Sequence, residues 1–102
     1  MSGRRPFAAA VALCALAGLA HAQSVMPPSA APCLSCHSVD GRPVLADVPI
    51  IAGQQVAYLV HALTSYRDGN RRGGPALVMQ QFAKDLDDRE IARLARWFGE
   101  AR

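Results

Sequence analysis

The sequence has 102 residues, with 11 basic and 8 acidic side chains and a formal net charge of +3. Arg4 and Arg5 supply two of these positive charges, and without them nine basic residues face eight acidic ones. This near balance does not favour a protein that binds nucleic acid. Residues 23–102 are enough for one domain, but a chain of this size seldom builds a sufficient core without a disulfide, a metal or another cofactor.

The first residues have the pattern of an export signal. The two arginines precede an uninterrupted apolar run over residues 7–20, and Ala20-His21-Ala22 supplies the small residues that a signal peptidase accepts. We expect residues 1–22 to be a cleaved signal peptide and residues 23–102 to be a periplasmic domain with no membrane insertion. The apolar run is about fourteen residues long, against the roughly 20 that a membrane-spanning helix needs. An uncleaved membrane anchor is the alternative.

Two segments have the apolar spacing of amphipathic helices. The first covers residues 54–67, and its apolar side is formed by Val56, Leu59, Val60 and Leu63. The second begins at Asp87, which can cap the free amides of the helix, while Glu90 can complete a capping box. Its apolar side is formed by Ile91, Leu94, Ala95 and Phe98.

The other segments are less regular. Residues 24–32 are rich in Pro, Ser and Ala, and they predict a loose leader that settles just before Cys33. Residues 40–49 contain a glycine and two prolines and predict a loop. Residues 76–86 are part loop and part short helix. No segment has the pattern of a strand, so the predicted fold class is all-α.

The motif Cys33-Leu34-Ser35-Cys36-His37 is the C-x-x-C-H signature of covalent haem attachment. Two thiols at this spacing on a helical turn can reach both vinyl groups along one edge of a haem, and the next side chain then points its imidazole at the iron. A structural zinc site would need a fourth ligand, for which only the distant His61 remains. A thioredoxin-like redox pair would follow a strand, and none precedes this motif. The motif therefore indicates one covalently bound haem c, with His37 as an iron ligand.

The second axial ligand has three candidates after residue 22, namely Met26, His61 and Met79. Met26 lies in the Pro-rich leader, close before the motif, which disfavours it. His61 is on the polar side of its predicted helix, so we expect it to be exposed. Met79 follows the turn Gly73-Gly74-Pro75, which can carry it to the opposite face of the haem. A methionine there can also be a plain core residue, but its position favours ligation.

The sequence resembles the class I cytochromes c, in particular the small bacterial single-haem type and the half-domains of dihaem cytochromes. Residues 49–54 are similar to the family's proline-containing loop, and residues 58–69 to the helix after it. Residues 79–98 are similar to the ligand-methionine segment and the terminal helix. The resemblance implies three to four helices wrapped around one haem, with Met79 as the second iron ligand. It also implies that the carbonyl of Pro49 accepts a hydrogen bond from His37. Ser38 stands where many relatives have glycine.

This resemblance implies one-electron transfer by a carrier, not an enzyme, since two protein ligands leave no iron position open for dioxygen or substrate. The expected partners are redox proteins, a donor dehydrogenase and a terminal acceptor, and the chain is expected to be a monomer or one subunit of a heteromer. Two alternatives stay open. The chain could be the dedicated cytochrome subunit of a periplasmic dehydrogenase complex, or a haem sensor or catalyst with an open iron site.

Two groups of arginines are candidates for partner docking. Arg67, Arg71 and Arg72 lie close to Met79 in the sequence, and partner docking and a simple solvated surface are equally favoured for them. Arg89, Arg93 and Arg96 follow the polar side of the last helix, where a solvated surface is the favoured interpretation.

Overall fold

The structure, a computed structural model, describes residues 2–3 and 25–102. They form a 3₁₀ turn at Pro28–Ala30 and four helices: α1, Ala31–His37; α2, Val56–Arg67; α3, Ala76–Ala83; and α4, Asp88–Gly99. No strand occurs in this part of the chain, so the predicted all-α class with three to four helices is confirmed. Among these residues no helix has the length and apolar character needed to span a bilayer. The expected signal peptide, residues 1–22, lies outside the described residues except for residues 2–3.

Helix α4 begins as its sequence predicts. Oδ1 of Asp87 accepts a hydrogen bond from the backbone N–H of Glu90 at 2.8 Å, and Oε2 of Glu90 accepts one from the N–H of Asp87 at 3.0 Å. The two bonds satisfy amides that a helix start leaves without partners, and such a cap stabilises by about 1 kcal/mol. The predicted apolar side is buried, with Ile91, Leu94, Ala95 and Phe98 each 4% exposed or less.

Helix α2 packs against both α4 and α3. Its buried residues are Leu59 and Ala62, and the partly buried Val56, Val60 and Leu63 pack around the same core. Gly99 allows the start of α2 to approach the end of α4, because a Cβ at Gly99 would lie 2.7 Å from the carbonyl oxygen of Gln54. The core thus lies mainly between α2 and α4.

The prediction of a loose leader before Cys33 is partly wrong. The N–H of Ala30 donates to the carbonyl of Pro27 at 2.9 Å, and Ala30 is fully buried in a cluster with Leu59, Leu94 and Phe98. Pro27 and Pro28 restrict the backbone before folding, so ordering this stretch costs less conformational entropy. The contact of Ala30 with the core fixes the N-terminal end of α1.

Residues 76–86, which the sequence predicts as part loop and part helix, contain α3. Gly73 and Gly74 precede it with φ values of 90° and 49°, which a glycine adopts without strain. Pro75 is the residue before the first helical one, and Ala76 and Ala83 are buried at the two ends of α3. Three apolar side chains of α3 are exposed, namely Leu77, Val78 and Phe82.

Candidate haem site

The predicted attachment residues lie on α1. Cys33 and Cys36 are one helical turn apart and partly buried, so their side chains occupy neighbouring positions on the helix surface. His37 is the last residue of α1 and is 7% exposed. Burial raises the pKa of the Cys33 thiol, against a smaller opposing effect of a backbone hydrogen bond. The Sγ of Cys33 donates to the carbonyl of Ser29 at 3.8 Å.

One hydrogen bond fixes the ring of His37. Its Nδ1 lies 3.0 Å from the carbonyl oxygen of Pro49, 12 residues later in the chain. A carbonyl oxygen can only accept, so Nδ1 carries the proton, and in the neutral ring that a metal binds Nε2 has the lone pair. A metal-binding histidine commonly has this arrangement, in which the second nitrogen is held by an outer hydrogen bond. The ring is therefore oriented for coordination through Nε2.

Gly41 closes the loop that carries Pro49. Its carbonyl accepts hydrogen bonds from the backbone N–H groups of Ile51, at 3.0 Å, and Ala52, at 3.2 Å. Gly41 has a φ of 69°, and a Cβ on it would lie 3.0 Å from the backbone nitrogen of Ala52. Only glycine combines this dihedral angle with this close approach. The two bonds bring the end of the loop back beside its start, and Pro49 is two residues before the first of the bonded amides.

Ser38 occupies an unusual conformation directly after His37. Its φ is 67° and its ψ is 161°, a region that is populated essentially by glycine and that costs other residues about 1–3 kcal/mol. The N–H of Ser38 donates to the carbonyl of Leu34 at 3.0 Å, and its own carbonyl accepts from Gly41 at 3.1 Å. These bonds end α1 and turn the chain into the Pro49 loop.

A mostly apolar cleft of about 230 Å³ lies beside Cys33. Met79 of α3 lines the same cleft, while Cys36 and His37 are not among its lining residues. The rest of the wall is formed by Ser29, Pro32, Leu63, Phe82, Ala83, Asp85, Leu86 and Glu90. A thiol and a thioether on one apolar cleft fit a haem attached at Cys33, since a porphyrin needs an apolar environment and iron accepts a thioether ligand.

The other candidates for the second ligand lie elsewhere. His61 is exposed on α2, as its place on the polar side of the helix predicts. Met26 is 41% exposed and precedes the 3₁₀ turn. Neither residue lines the cleft, so Met79 alone among the three candidates is brought to the wall that contains Cys33.

The structure removes Arg67 from the predicted docking group of Arg67, Arg71 and Arg72. Arg67 donates to Leu86 and Asp88 through Nη1 and to Asp68 through Nε, and its side chain is only 21% exposed. Asp88 and then Asp68 raise the pKa of its guanidinium, which stays charged. Arg67 is therefore engaged in bonds within the protein and is not a docking residue. Arg71 and Arg72 are exposed.

The structural roles of two residues of the site were missed by sequence reasoning. Gly41 follows Asp40, and an Asp-Gly pair is a turn signal. Nothing in the sequence, however, indicates that the backbone of Gly41 packs closely against Ala52. Arg67 stands in the last turn of α2, where a basic residue is common for the helix dipole. That local explanation hides its bonds to residues 19 and 21 positions later.

No family model matches the chain. The chain is, however, 38% identical over 66 residues to cytochrome c-554(548) of Halomonas halodenitrificans, and the match covers 65% of this chain and 80% of that protein. The chain belongs to the class I cytochromes c. Its cofactor is accordingly a covalently bound haem c with iron, and it is an electron-carrying cytochrome, not a catalytic enzyme.

Two longer relatives match the chain over only part of their own length. The chain is 35% identical over 66 residues to a thiosulfate dehydrogenase electron acceptor of Stutzerimonas stutzeri, covering 65% of this chain and 31% of that protein. A crystal structure of reduced cytochrome c4 from Pseudomonas stutzeri superposes with a TM-score of 0.63 at 32% identity, covering 69% of this chain and 38% of the other. The chain therefore spans well under half the length of these two relatives, and the solved structure shares its helical fold.

Proposed function

We propose that this cytochrome is a periplasmic one-electron carrier whose haem iron is bound by His37 on one side and Met79 on the other. The observation that carries the proposal is the apolar cleft lined by both Cys33 and Met79. Cys33 and Cys36 would hold the haem covalently. The oriented Nε2 of His37, on the same helix, supports its role as the other ligand.

Each residue has a separate effect in this proposal. The haem, when bound, supplies Fe(II)/Fe(III) exchange of one electron. The bond from His37 to the Pro49 carbonyl makes the imidazole more electron-rich, which favours the ferric state. The soft thioether of Met79 favours the ferrous state, and so does the apolar wall, which disfavours extra charge. With His37 and Met79 both bound to the iron, no coordination position would remain for dioxygen, peroxide or carbon monoxide.

The test is spectroscopic. The ferric protein should show the weak far-red absorption band that methionine-to-iron coordination produces, and the ferrous protein should not bind carbon monoxide. Absence of the band together with carbon monoxide binding by the native ferrous protein would contradict the proposal. Those two results would instead favour the open-site sensor or catalyst.

A second candidate is a dedicated electron-accepting subunit of a periplasmic dehydrogenase complex. It is favoured by the relative that is named a thiosulfate dehydrogenase electron acceptor. Gentle purification from the native host separates the two functions. A free carrier elutes alone at the size of one small domain, whereas a subunit elutes with a dehydrogenase chain in fixed ratio.

The proposed location rests on the apolar run over residues 7–20 and on the Ala20-His21-Ala22 site. Covalent haem attachment of this type follows export, so the periplasmic product should begin at Gln23 and carry one haem. Intact-mass measurement of the periplasmic fraction tests this directly. A product that keeps residues 7–20 would support the uncleaved anchor.

Arg71 and Arg72 are the proposed docking residues for an acidic redox partner. Both are exposed on the turn before α3, where Arg71 stacks 4.8 Å above the ring of Tyr66 and Nε of Arg72 donates to the Gly69 carbonyl at 2.7 Å. These contacts hold the two charges in place. Arg71→Ser with Arg72→Ser should slow oxidation of the ferrous protein by the anion ferricyanide and reduce the dependence of that rate on salt.

A further inference from the structure

Arg67 joins the end of α2 to the chain that follows Met79. Its Nη1 donates to the carbonyl of Leu86 at 3.2 Å and to Oδ1 of Asp88 at 2.7 Å. Leu86 lies between α3 and α4 and lines the same cleft as Met79. One side chain of α2 therefore holds the C-terminal end of the segment that contains Met79.

The bond to Leu86 is the important one of these contacts. The Asp88 side chain is 91% exposed, and ion pairs in water contribute little. The Arg67 side chain is 21% exposed, and a charged donor on a partly buried carbonyl makes a stronger bond. The planar guanidinium reaches Leu86, Asp88 and Asp68 together, which the single ammonium group of lysine cannot do.

A second contact joins the segment to the turn before it. Nε2 of Gln80 donates to the carbonyl of Arg71 at 2.7 Å, and Gln80 is the residue directly after Met79. This bond joins α3 to the turn that precedes it. Loss of Arg67 would therefore remove a side-chain restraint at the C-terminal end of the segment, while the bond from Gln80 to Arg71 remains.

We propose that Arg67 is a positioning residue for Met79, and that its bond to Leu86 determines how often Met79 leaves the iron. This inference rests on the proposed ligation by Met79. When the bond is lost, the segment over residues 76–86 spends more time away from the cleft. An external ligand that binds only while Met79 is off then gains apparent affinity in proportion to the time that the segment is open.

The test is a titration of the ferric, haem-loaded protein with imidazole, followed through loss of the methionine-to-iron absorption band. Arg67→Met should increase the apparent imidazole affinity about tenfold. Arg67→Lys should show most of this increase, because it keeps the positive charge at the end of α2 but not the bonds to all three acceptors. The lysine variant also makes the test independent of whether the methionine variant folds.

Two control variants separate positioning from other effects. Arg89→Met removes a charge from the exposed surface of α4 and should leave the affinity within about twofold of the native value. Ile91→Val removes a buried methyl group outside the cleft and lowers global stability only.

If the Arg67 variants bind imidazole like the native protein, the positioning role is wrong. The positioning role is also wrong if Ile91→Val and the Arg67 variants raise the imidazole affinity equally, once each increase is divided by the unfolding free energy that the variant loses. A native protein without the methionine band would instead refute the proposed ligation itself.

Discussion

His37 and Met79 are held by different kinds of contact. Around His37, nearly every bond is a backbone bond within residues 34–52: Ser38 to Leu34, Gly41 to Ser38, Ile51 and Ala52 to Gly41, and the ring itself to the Pro49 carbonyl. Around Met79, side chains make the hydrogen bonds that join residues 76–86 to other segments, namely Arg67 to the carbonyl of Leu86 and Gln80 to the carbonyl of Arg71.

This difference predicts how the His37 side, residues 34–52, and the Met79 side, residues 76–86, respond to substitution. Backbone bonds survive most substitutions, so the His37 side should be sensitive mainly where a glycine is required. A side-chain bond is lost when the residue that makes it is substituted, so the Met79 side should open first. With the proposed ligation, the two sides should also shift the reduction potential in opposite directions, since the Pro49 bond would favour ferric iron and the Met79 thioether would favour ferrous iron.

The largest effect is expected at the attachment residues. Cys33→Ala combined with Cys36→Ala should release all haem into acid–acetone, whereas the native protein should retain it, because the thioether bonds are covalent. Measurement of haem absorbance in the two phases decides this. Haem that is extractable from the native protein would contradict covalent attachment.

Met79→Ala should open the Met79 side while leaving attachment intact. We expect the reduction potential to fall by on the order of 0.1 V, within the roughly 0.8 V over which axial ligands set haem potentials. The ferrous variant should also gain carbon monoxide binding. Met26→Ala and His61→Ala are matched controls and should change neither property. If His61→Ala lowers the potential and Met79→Ala does not, His61 is the ligand and the comparison of the two sides fails.

Gly41→Ala should disturb the His37 side. The new Cβ meets the backbone of Ala52, and a positive φ disfavours alanine, so we expect a loss of roughly 2–5 kcal/mol in unfolding free energy. Displacement of the loop should weaken the bond from His37 to Pro49 and raise the reduction potential, opposite to Met79→Ala. Gly69→Ala is the control, since Gly69 has a φ of 74° and no heavy atom within 4 Å of an added Cβ. It should cost only about 1–2 kcal/mol and leave the potential unchanged. Equal potential shifts in the two variants would remove Gly41 from any role in placing Pro49.

Ser38→Gly should have the smallest effect and a stabilising one. It relieves a conformation that costs about 1–3 kcal/mol, and the greater freedom of glycine in the unfolded chain offsets part of this, which leaves a gain of about 1 kcal/mol. Denaturant unfolding of the haem-loaded protein measures it. Destabilisation would show that the Ser38 hydroxyl makes a contact whose loss outweighs the strain.

Much of the local structure could be predicted from the sequence. The Asp87–Glu90 capping box, the buried side of α4 and the exposure of His61 all follow from helical spacing and from bonds that span three residues. The leader before Cys33 could not be predicted, because proline and alanine are as common in loose segments as in ordered ones. Only the pocket that Leu59, Leu94 and Phe98 form shows that Ala30 is buried.

The sequence by itself determined the all-α class, the attachment motif at Cys33, Cys36 and His37, and Met79 as the favoured second ligand. Each depends on spacing along the chain, which a helix converts directly into position. The tertiary structure decided which distant groups meet: Gly41 with Ala52, and Arg67 with Leu86, 19 residues away. Such contacts depend on how α2, α3 and α4 pack, and an arginine has many possible acceptors until that packing brings one carbonyl within reach.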